Sequence, residues 1–425
     1  MKCFVGLGAN LGDRLANLEG AVSVLRARAG VSHIRSSPVF QTPALVPPGA
    51  PDSWKLPFLN AAIELEWAGS PQELLRALKE TEAQLGRGPA PTWAPRIIDL
   101  DLLACEGAVV EEAACKVPHP ALPGRAFVLD PLKHLAPLAR LPSFSLNLLE
   151  QSRRIASRSP LWMAILNLTP DSFSDGGELA NERALLERVE KLERAQVQCF
   201  DLGAESTRPG ALPVGETEEW RRLEPAFSFF QERYRGRAFR PLLSVDTRHA
   251  SVAARALELG ASWVNDVSGL SDPAMLEILQ GSRCGYVLMH SLSVPASREH
   301  VLSESADPVG EVLGWAQEKL EALAKAGVDL QRVIFDPGIG FGKTPAQSLA
   351  LLRGISAFYS LPVRLLVGHS RKSFMSAWGP QATEERDGFS VGASLRLAER
   401  GVEVLRVHEA HLHATALQAS QELHE

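Results

Sequence analysis

LWMAILNLTPDSFSDGG, residues 161–177, decides how the larger part of the chain folds. An apolar run reaches Asn167 without a charge, and a polar, glycine-bearing turn follows at once. A short continuous apolar run bounded by turn residues reads as a strand buried on both faces. The theme recurs downstream: CFDLG ends at Gly203, PLLSVD at Asp246, SWVND at Asp266, GYVLMH at His290, RVIFD at Asp336, VRLLVG at Gly368 and EVLRVH at His408. Between these runs lie stretches such as HASVAARALELG and EVLGWAQEKLEALAKAG, whose apolar spacing suits amphipathic helices. Eight strand–helix units in about 250 residues have the size and rhythm of an α/β TIM (β/α)8 barrel, whose chemistry gathers at the C-terminal ends of the strands. An open doubly wound sheet is the rival; polar residues at the ends of the strands favour the closed barrel.

The upstream part reads differently. FLNAAIELEWA (58–68) alternates, placing Leu59, Ala61, Ile63, Leu65 and Trp67 on one face of a half-buried strand. A helix then opens at Ser70 with Pro71 in its first position and Glu73 completing a capping box. A second helix spans about 13–28, with Leu15, Leu18, Val22 and Leu25 inward. Strands mixed with two main helices predict an α+β sandwich of ferredoxin-like class. The stretch 134–160, with three prolines, late arginines and no steady period, reads as a linker. The expected division is therefore 1–155 and 160–425.

Composition bounds the function without naming it. The 425 residues carry 44 basic and 50 acidic side chains, a net charge of −6, which argues against bulk nucleic-acid or membrane-surface binding. Five cysteines, an odd number without CxxC spacing, read as reduced structural thiols. The N-terminus lacks the apolar run of a signal peptide, and no stretch approaches a membrane span, so a cytoplasmic location is expected. Two glycine-rich stretches are decoys. GLGANLG (6–12) has its third glycine one residue late for a dinucleotide fingerprint and reads as a strand-to-helix turn. GIGFGKT (338–344) has Pro337 where a phosphate-binding P-loop needs glycine.

In TWAPRIIDLDLL (92–103), Asp99 and Asp101 share one strand face, opposite Ile98, Leu100 and Leu102. Two carboxylates so placed can hold magnesium carrying a nucleotide's phosphates, and the cations Arg87, Arg96, His119 and Arg125 nearby suit phosphoryl transfer. A solvated strand face is the plain alternative for the pair taken alone. With GLGANLGDR, FLNAA, WAPRIIDLDL, and VPHP followed by PGRAF, residues 1–150 resemble the 6-hydroxymethyl-7,8-dihydropterin pyrophosphokinases. The resemblance implies pyrophosphate transfer from ATP, with Mg2+ on Asp99 and Asp101. It further implies phosphate contacts from Arg87, Arg96, His119 and Arg125, and Trp93 on a closing loop. Thr42, Pro43, Asn60 and Phe127 would line a pterin pocket, with Phe58 stacking where the family often has tyrosine.

Downstream, Asp246, Asn265 and Asp336 stand at strand ends that a barrel aims at one mouth, suited to a heterocycle with adjacent N–H donors. GHSRKS (368–373) and RVH (406–408) bring Ser370, Arg371, Lys372, Arg406 and His408 to the seventh and eighth strands, as an anion site would. A structural salt-bridge ring is the bland alternative. ILNLTPDSFSDGG, DLGAESTRPGA, SVDT, VND, DPGIGFGK, GHSRKS and RVH, in that order over 160–415, resemble the dihydropteroate synthases. The implied reaction joins 4-aminobenzoate to the pterin methylene and releases pyrophosphate. By that resemblance Asp246, Asn265, Asp336 and Lys372 hold the pterin. Asn167, Arg406 and His408 hold the pyrophosphate and its magnesium. Thr207, Arg208 and Ser370 meet 4-aminobenzoate, and Phe173 and Asp175 lie on a closing loop; Arg371, within the same anion-site segment, is expected to contact substrate directly. Glu409 stands where many relatives have aspartate.

The expected whole is a bifunctional enzyme of folate synthesis acting on small molecules, with ATP as co-substrate and neither nucleic acid nor membrane as partner. A homodimer through the barrel is left open. The rival is a working barrel with an inactive N-terminal interaction module. A barrel that binds a reduced pterin for methyl transfer is disfavoured by the STRPG and SRK segments.

Overall fold

The computed structural model describes residues 1–142, 144–155, 159–168, 177–206, 211–297, 299–378, 382 and 384–423. The chain forms two compact units: Met1–Ser159 with Gly236–Arg240 and Gln418–Glu425, and Pro160–Arg235 with Pro241–Leu417.

The first unit contains β1 (Lys2–Ala9), α1 (Arg14–Ala27), β2 (Val31–Ser36), β3 (Phe40–Thr42), β4 (Phe58–Trp67), α2 (Pro71–Gln84), β5 (Asp99–Cys105), β6 (Val110–Glu112), β7 (Cys115–Val117), α3 (Ala126–Leu135) and α4 (Leu148–Arg154). Its main sheet runs β2-β4-β1-β5, with β3 also on β4, and the pairs are antiparallel. The capping box at Ser70 and Glu73 starts α2 as expected. Leu18, Val22 and Leu25 of α1 and Leu74 and Leu78 of α2 pack on one face of the sheet with Ile63 and Leu65.

Two sequence expectations change here. The strand at 58–67 is covered on both faces, because Ala62 also packs, with Phe4 and Leu103, against Val128, Leu129 and Leu132 of α3. The stretch read as a linker is folded: α4 starts from an Asn147–Glu150 capping box and buries Leu148 and Leu149. A buried ion pair, Lys133 to Asp130 at 2.7 Å, with Ser152 accepting from the same amine at 3.3 Å, ties α4 to α3. Seven residues span two turns, too few to display a period, so only the N-x-x-E cue was there to read.

The second unit is a closed parallel barrel of β8 (Leu161–Asn167), β9 (Cys199–Gly203), β10 (Leu242–Asp246), β11 (Trp263–Asp266), β12 (Gly285–Met289), β13 (Val333–Asp336), β14 (Arg364–Val367) and β15 (Val404–Val407). Outside it pack α5 (Gly177–Arg194), α6 (Glu216–Arg233), α7 (Ala250–Glu258), α8 (Pro273–Gly281), α9 (Pro308–Lys325), α10 (Pro345–Arg353), α11 (Asp387–Glu399) and the part of α12 (Ala410–Glu422) up to Leu417. The strand ends match those expected from sequence to within one residue. Leu161, Met163, Cys199, Val287, Ile334, Leu366 and Val404 fill the barrel interior, while a larger apolar layer joins strands to helices. The five cysteines are free and buried.

Candidate active sites

In the first unit, Asp99 and Asp101 lie opposite Gly8 and Gly6 of β1. Side chains are missing there because space is needed: a Cβ on Gly6 would stand 3.3 Å from Leu103, and one on Gly8 3.2 Å from Asn60. These glycines therefore lie inside a strand and floor a cavity of about 210 Å3, and only Gly12 of GLGANLG takes the positive φ of a turn. The cavity is lined by Thr42, Pro43, Phe58, Asn60, Trp93, Arg96, Asp99, Asp101, Arg125 and Phe127, so ten expected residues from four separate stretches meet there. Asn60 donates to the Thr42 hydroxyl at 2.7 Å, and the Arg125 guanidinium lies 5.7 Å from the centre of the Phe127 ring. Trp93, 39% exposed at the rim, has φ of +73°, a strained conformation for a bulky residue.

Two acids and several cations share this wall of the cavity. Burial and then the neighbouring Asp99 charge push the Asp101 carboxyl above its usual range. Arg96 donates to Asp99 at 2.9 Å, and Arg87 bridges Asp99 and Glu82. Burial opposes the Arg87 charge, but Asp99, Glu82 and Asp101 together more than restore it, so its pKa is raised. His119 and Arg87 do not line the cavity; Arg87 acts on it through charge, while burial lowers the His119 imidazole against the attraction of Asp101 and favours its neutral form. Glu82 was not anticipated. This carboxylate, 4% exposed, accepts from Lys79 at 2.8 Å, Arg87 at 2.6 Å and the Leu100 amide at 2.7 Å, between the two aspartates. On the sequence it looks like any charge on α2.

In the barrel, Asp246, Asn265 and Asp336 occupy the C-terminal ends of β10, β11 and β13, and Asn167 closes β8. Arg406 projects from β15 and donates from Nε to Asp201 at 2.6 Å and from Nη2 to Asp246 at 2.5 Å. Asn265 donates to the same Asp201 oxygen at 3.0 Å. One guanidinium faces two buried acids, so Arg406 is held charged, while burial pushes Asp246 up to about 7 against the pull of Arg406. Asp201, fully buried, is a second residue that sequence reasoning missed; its signal was an acid inside the apolar strand CFDLG.

Lys372 donates to the Ile339 carbonyl at 2.8 Å and sits 4.1 Å above the Phe341 ring; burial brings its amine down to about 8 against the attraction of Asp336. His408 Nδ1 lies 3.1 Å from the Ser370 hydroxyl, which also accepts from the His408 amide at 3.3 Å. Arg371 is turned to Asp387, with donor distances of 2.7 and 2.8 Å, and lies 3.6 Å from Glu409. Glu409 in turn accepts two bonds from Arg188 at 2.9 Å. Phe173, Asp175, Thr207 and Arg208 lie outside the described residues.

Comparison with known proteins bears on both units. Residues 163–408 match the pterin binding enzyme family model, and residues 4–137 match that of 7,8-dihydro-6-hydroxymethylpterin-pyrophosphokinase. The folate synthesis bifunctional protein of Chlamydia trachomatis is 35% identical over 98% of this chain and 97% of its own length. The mitochondrial one of Pisum sativum is 31% identical over 95% of this chain and 86% of its own. Among solved structures, the Xanthomonas albilineans dihydropteroate synthase with 4-aminobenzoic acid is 35% identical, with a TM-score of 0.56, and covers 63% of this chain and 96% of that one. The Anaplasma phagocytophilum synthase with 6-hydroxymethylpterin-monophosphate is 31% identical, with the same TM-score, and covers 62% of this chain and 99% of that one.

Proposed function

The chain belongs to the folate synthesis bifunctional family, a pyrophosphokinase and a dihydropteroate synthase on one polypeptide, and from that premise we propose which of its residues perform each step. The first activity transfers pyrophosphate from ATP to 6-hydroxymethyl-7,8-dihydropterin and releases AMP. The second condenses the product with 4-aminobenzoate, giving 7,8-dihydropteroate and pyrophosphate. We assign residues 1–155 to the kinase and 160–425 to the synthase. Nothing favours the inactive-module alternative.

The reading rests above all on the cavity of the first unit, where an acidic pair and a pterin-sized apolar slot share one wall. Thr42, Pro43, Phe58, Asn60 and Phe127 would hold the pterin, with its hydroxymethyl group toward Asp99 and Asp101. These carboxylates suit Mg2+, which commonly takes one or two protein carboxylates and completes its shell with phosphate and water. When bound, Mg2+ would neutralise phosphate charge and orient the chain. Arg87 and Arg96, which meet Asp99 in the free protein, would turn to the phosphates with His119 and Arg125, while Trp93 covers them. The hydroxymethyl oxygen then attacks the β-phosphorus and AMP leaves.

In the barrel, Asp246 and Asp336 would accept the N–H groups of the pterin, with Asn265 and Lys372 completing its polar edge. Arg406, His408 and Asn167 would bind the leaving pyrophosphate with its magnesium. Departure leaves positive charge on the methylene, supported by the electron-rich pterin, and the amine of 4-aminobenzoate attacks; no protein nucleophile is required. Ser370, Thr207 and Arg208 would orient the aminobenzoate, with Phe173 and Asp175 covering it. Arg371, engaged by Asp387, is assigned to holding Ser370 and Lys372 in place, in preference to the direct substrate contact expected from sequence. No helix among the described residues is long and apolar enough to cross a membrane. The free thiols suit a reducing cytoplasm.

The test is a single incubation of the hydroxymethyl-dihydropterin with ATP, magnesium and 4-aminobenzoate. AMP and dihydropteroate are both expected. Absence of AMP overturns the kinase assignment, and AMP without dihydropteroate overturns the synthase assignment.

A further inference from the structure

The turn 337–342 between β13 and α10, set aside on the sequence as a false P-loop, is gripped from two sides. On one side Lys372 donates to the Ile339 carbonyl. On the other, Lys343 is 6% exposed, and its Nζ lies 2.6 Å from His290 Nδ1 and donates to the His290 carbonyl at 3.0 Å. His290, 3% exposed, follows β12, donates its amide to the Asp336 carbonyl at 2.9 Å, and packs edge-on against Trp315 at 4.9 Å. The turn sits directly on this residue: a Cβ on Gly338 would come within 1.9 Å of the His290 carbonyl oxygen and 3.1 Å of Lys343 Nζ. Gly338 in turn donates its amide to Asp336 Oδ1 at 2.8 Å, so the turn's backbone sets the orientation of that carboxylate.

We propose that Lys343 is a positioning residue for pterin recognition. By gripping His290 through both its ring and its carbonyl, it fixes the turn that orients Asp336 and anchors Lys372, without itself touching substrate. Burial, and then Lys343, bring the His290 imidazole down to about 3, and burial also pulls the Lys343 amine well below its usual value; the ring is neutral, and its Nδ1 accepts from the lysine N–H whether or not the amine carries its charge. Both groups that the turn controls belong to the pterin subsite, whereas Ser370, on the same loop as Lys372, is held by His408 at the eighth strand, through its amide and its Nδ1. Loss of the grip should therefore weaken pterin binding selectively. The inference rests on the pterin subsite assigned above.

The experiment uses the full chain and measures synthase kinetics from preformed pterin pyrophosphate. Lys343→Met is expected to raise KM for the pterin pyrophosphate about tenfold or more, a usual consequence of a small misplacement of a binding group. Changes in kcat and in KM for 4-aminobenzoate should stay within about threefold, well below that effect. AMP formation by the first unit should be unaltered, which serves as the internal control. Lys343→Gln and His290→Asn, which keep some of the grip, should raise the same KM by a smaller factor and carry the test where the methionine variant does not fold. An unchanged KM in folded variants, equal losses in both KM values and kcat, or failure of all three to fold would each overturn the proposal. Asp336→Asn separates the two levels: if that variant binds the pterin pyrophosphate normally, the subsite assignment itself is wrong.

Discussion

Replacing Asp201 with asparagine isolates the electrostatic balance of the barrel site. Asp201 and Asp246 share the guanidinium of Arg406, at 2.6 and 2.5 Å, and Asp201 is fully buried. Burial pushes Asp246 up to about 7, and the Asp201 charge adds to the effect. Asparagine keeps the shape and an oxygen for Arg406 Nε but removes one negative charge. Two charges roughly 5 Å apart at an effective dielectric of about 20 interact by about 3 kcal/mol, or about 2 pKa units. The carboxylates are also screened by the guanidinium between them, so a downward shift of about one unit is expected for Asp246.

On the assignment proposed above, pterin recognition needs Asp246 ionised and Lys372 protonated. The pH profile of kcat/KM for pterin pyrophosphate reports the free protein. It should therefore be bell-shaped, with an acid limb near 7 and a basic limb near 8. In Asp201→Asn the acid limb should move to about pH 6 by the same interaction, while the basic limb stays. Stability supplies an independent check. A carboxyl raised on folding makes the native state bind more protons, so unfolding free energy falls as pH rises from about 4 to 7. That decline should be shallower in the variant, measured by urea unfolding across the window. An acid limb that stays or moves upward would refute the reasoning.

Other changes probe the remaining features. Asp101→Ala should abolish AMP formation and leave dihydropteroate synthesis from preformed pterin pyrophosphate intact; loss of both would show that the units are not independent. Glu82→Ala leaves Arg87, Lys79 and the Leu100 amide without their shared acceptor and should destabilise the first unit by about 3 kcal/mol in denaturant unfolding, while also slowing AMP formation. Leu148→Ala removes a side chain that is 3% exposed and should cost about 2–4 kcal/mol in the same measurement; a cost near zero would restore the linker reading of this stretch.

Much of this protein was legible before any coordinates. Period-two alternation, short apolar runs and capping boxes are local properties, so the barrel strands, the strand at 58–67 and the start of α2 could be read from neighbouring residues alone. Motif order carried the two activities, and the face shared by Asp99 and Asp101 follows from strand geometry. What the sequence could not express is burial and partnership across distance. Asp201 and Asp246 are 45 positions apart, and Arg406 lies 160 beyond Asp246; only barrel closure makes one guanidinium answer to both acids. Glu82 becomes a buried acceptor only when α2 packs on β5, and beyond its capping box α4 declares itself only by the burial of Leu148 and Leu149. Arg371 faces Asp387 because a helix from elsewhere brings that carboxylate within reach. Charge energies depend on separation in space and on desolvation, and neither quantity is written along a linear chain.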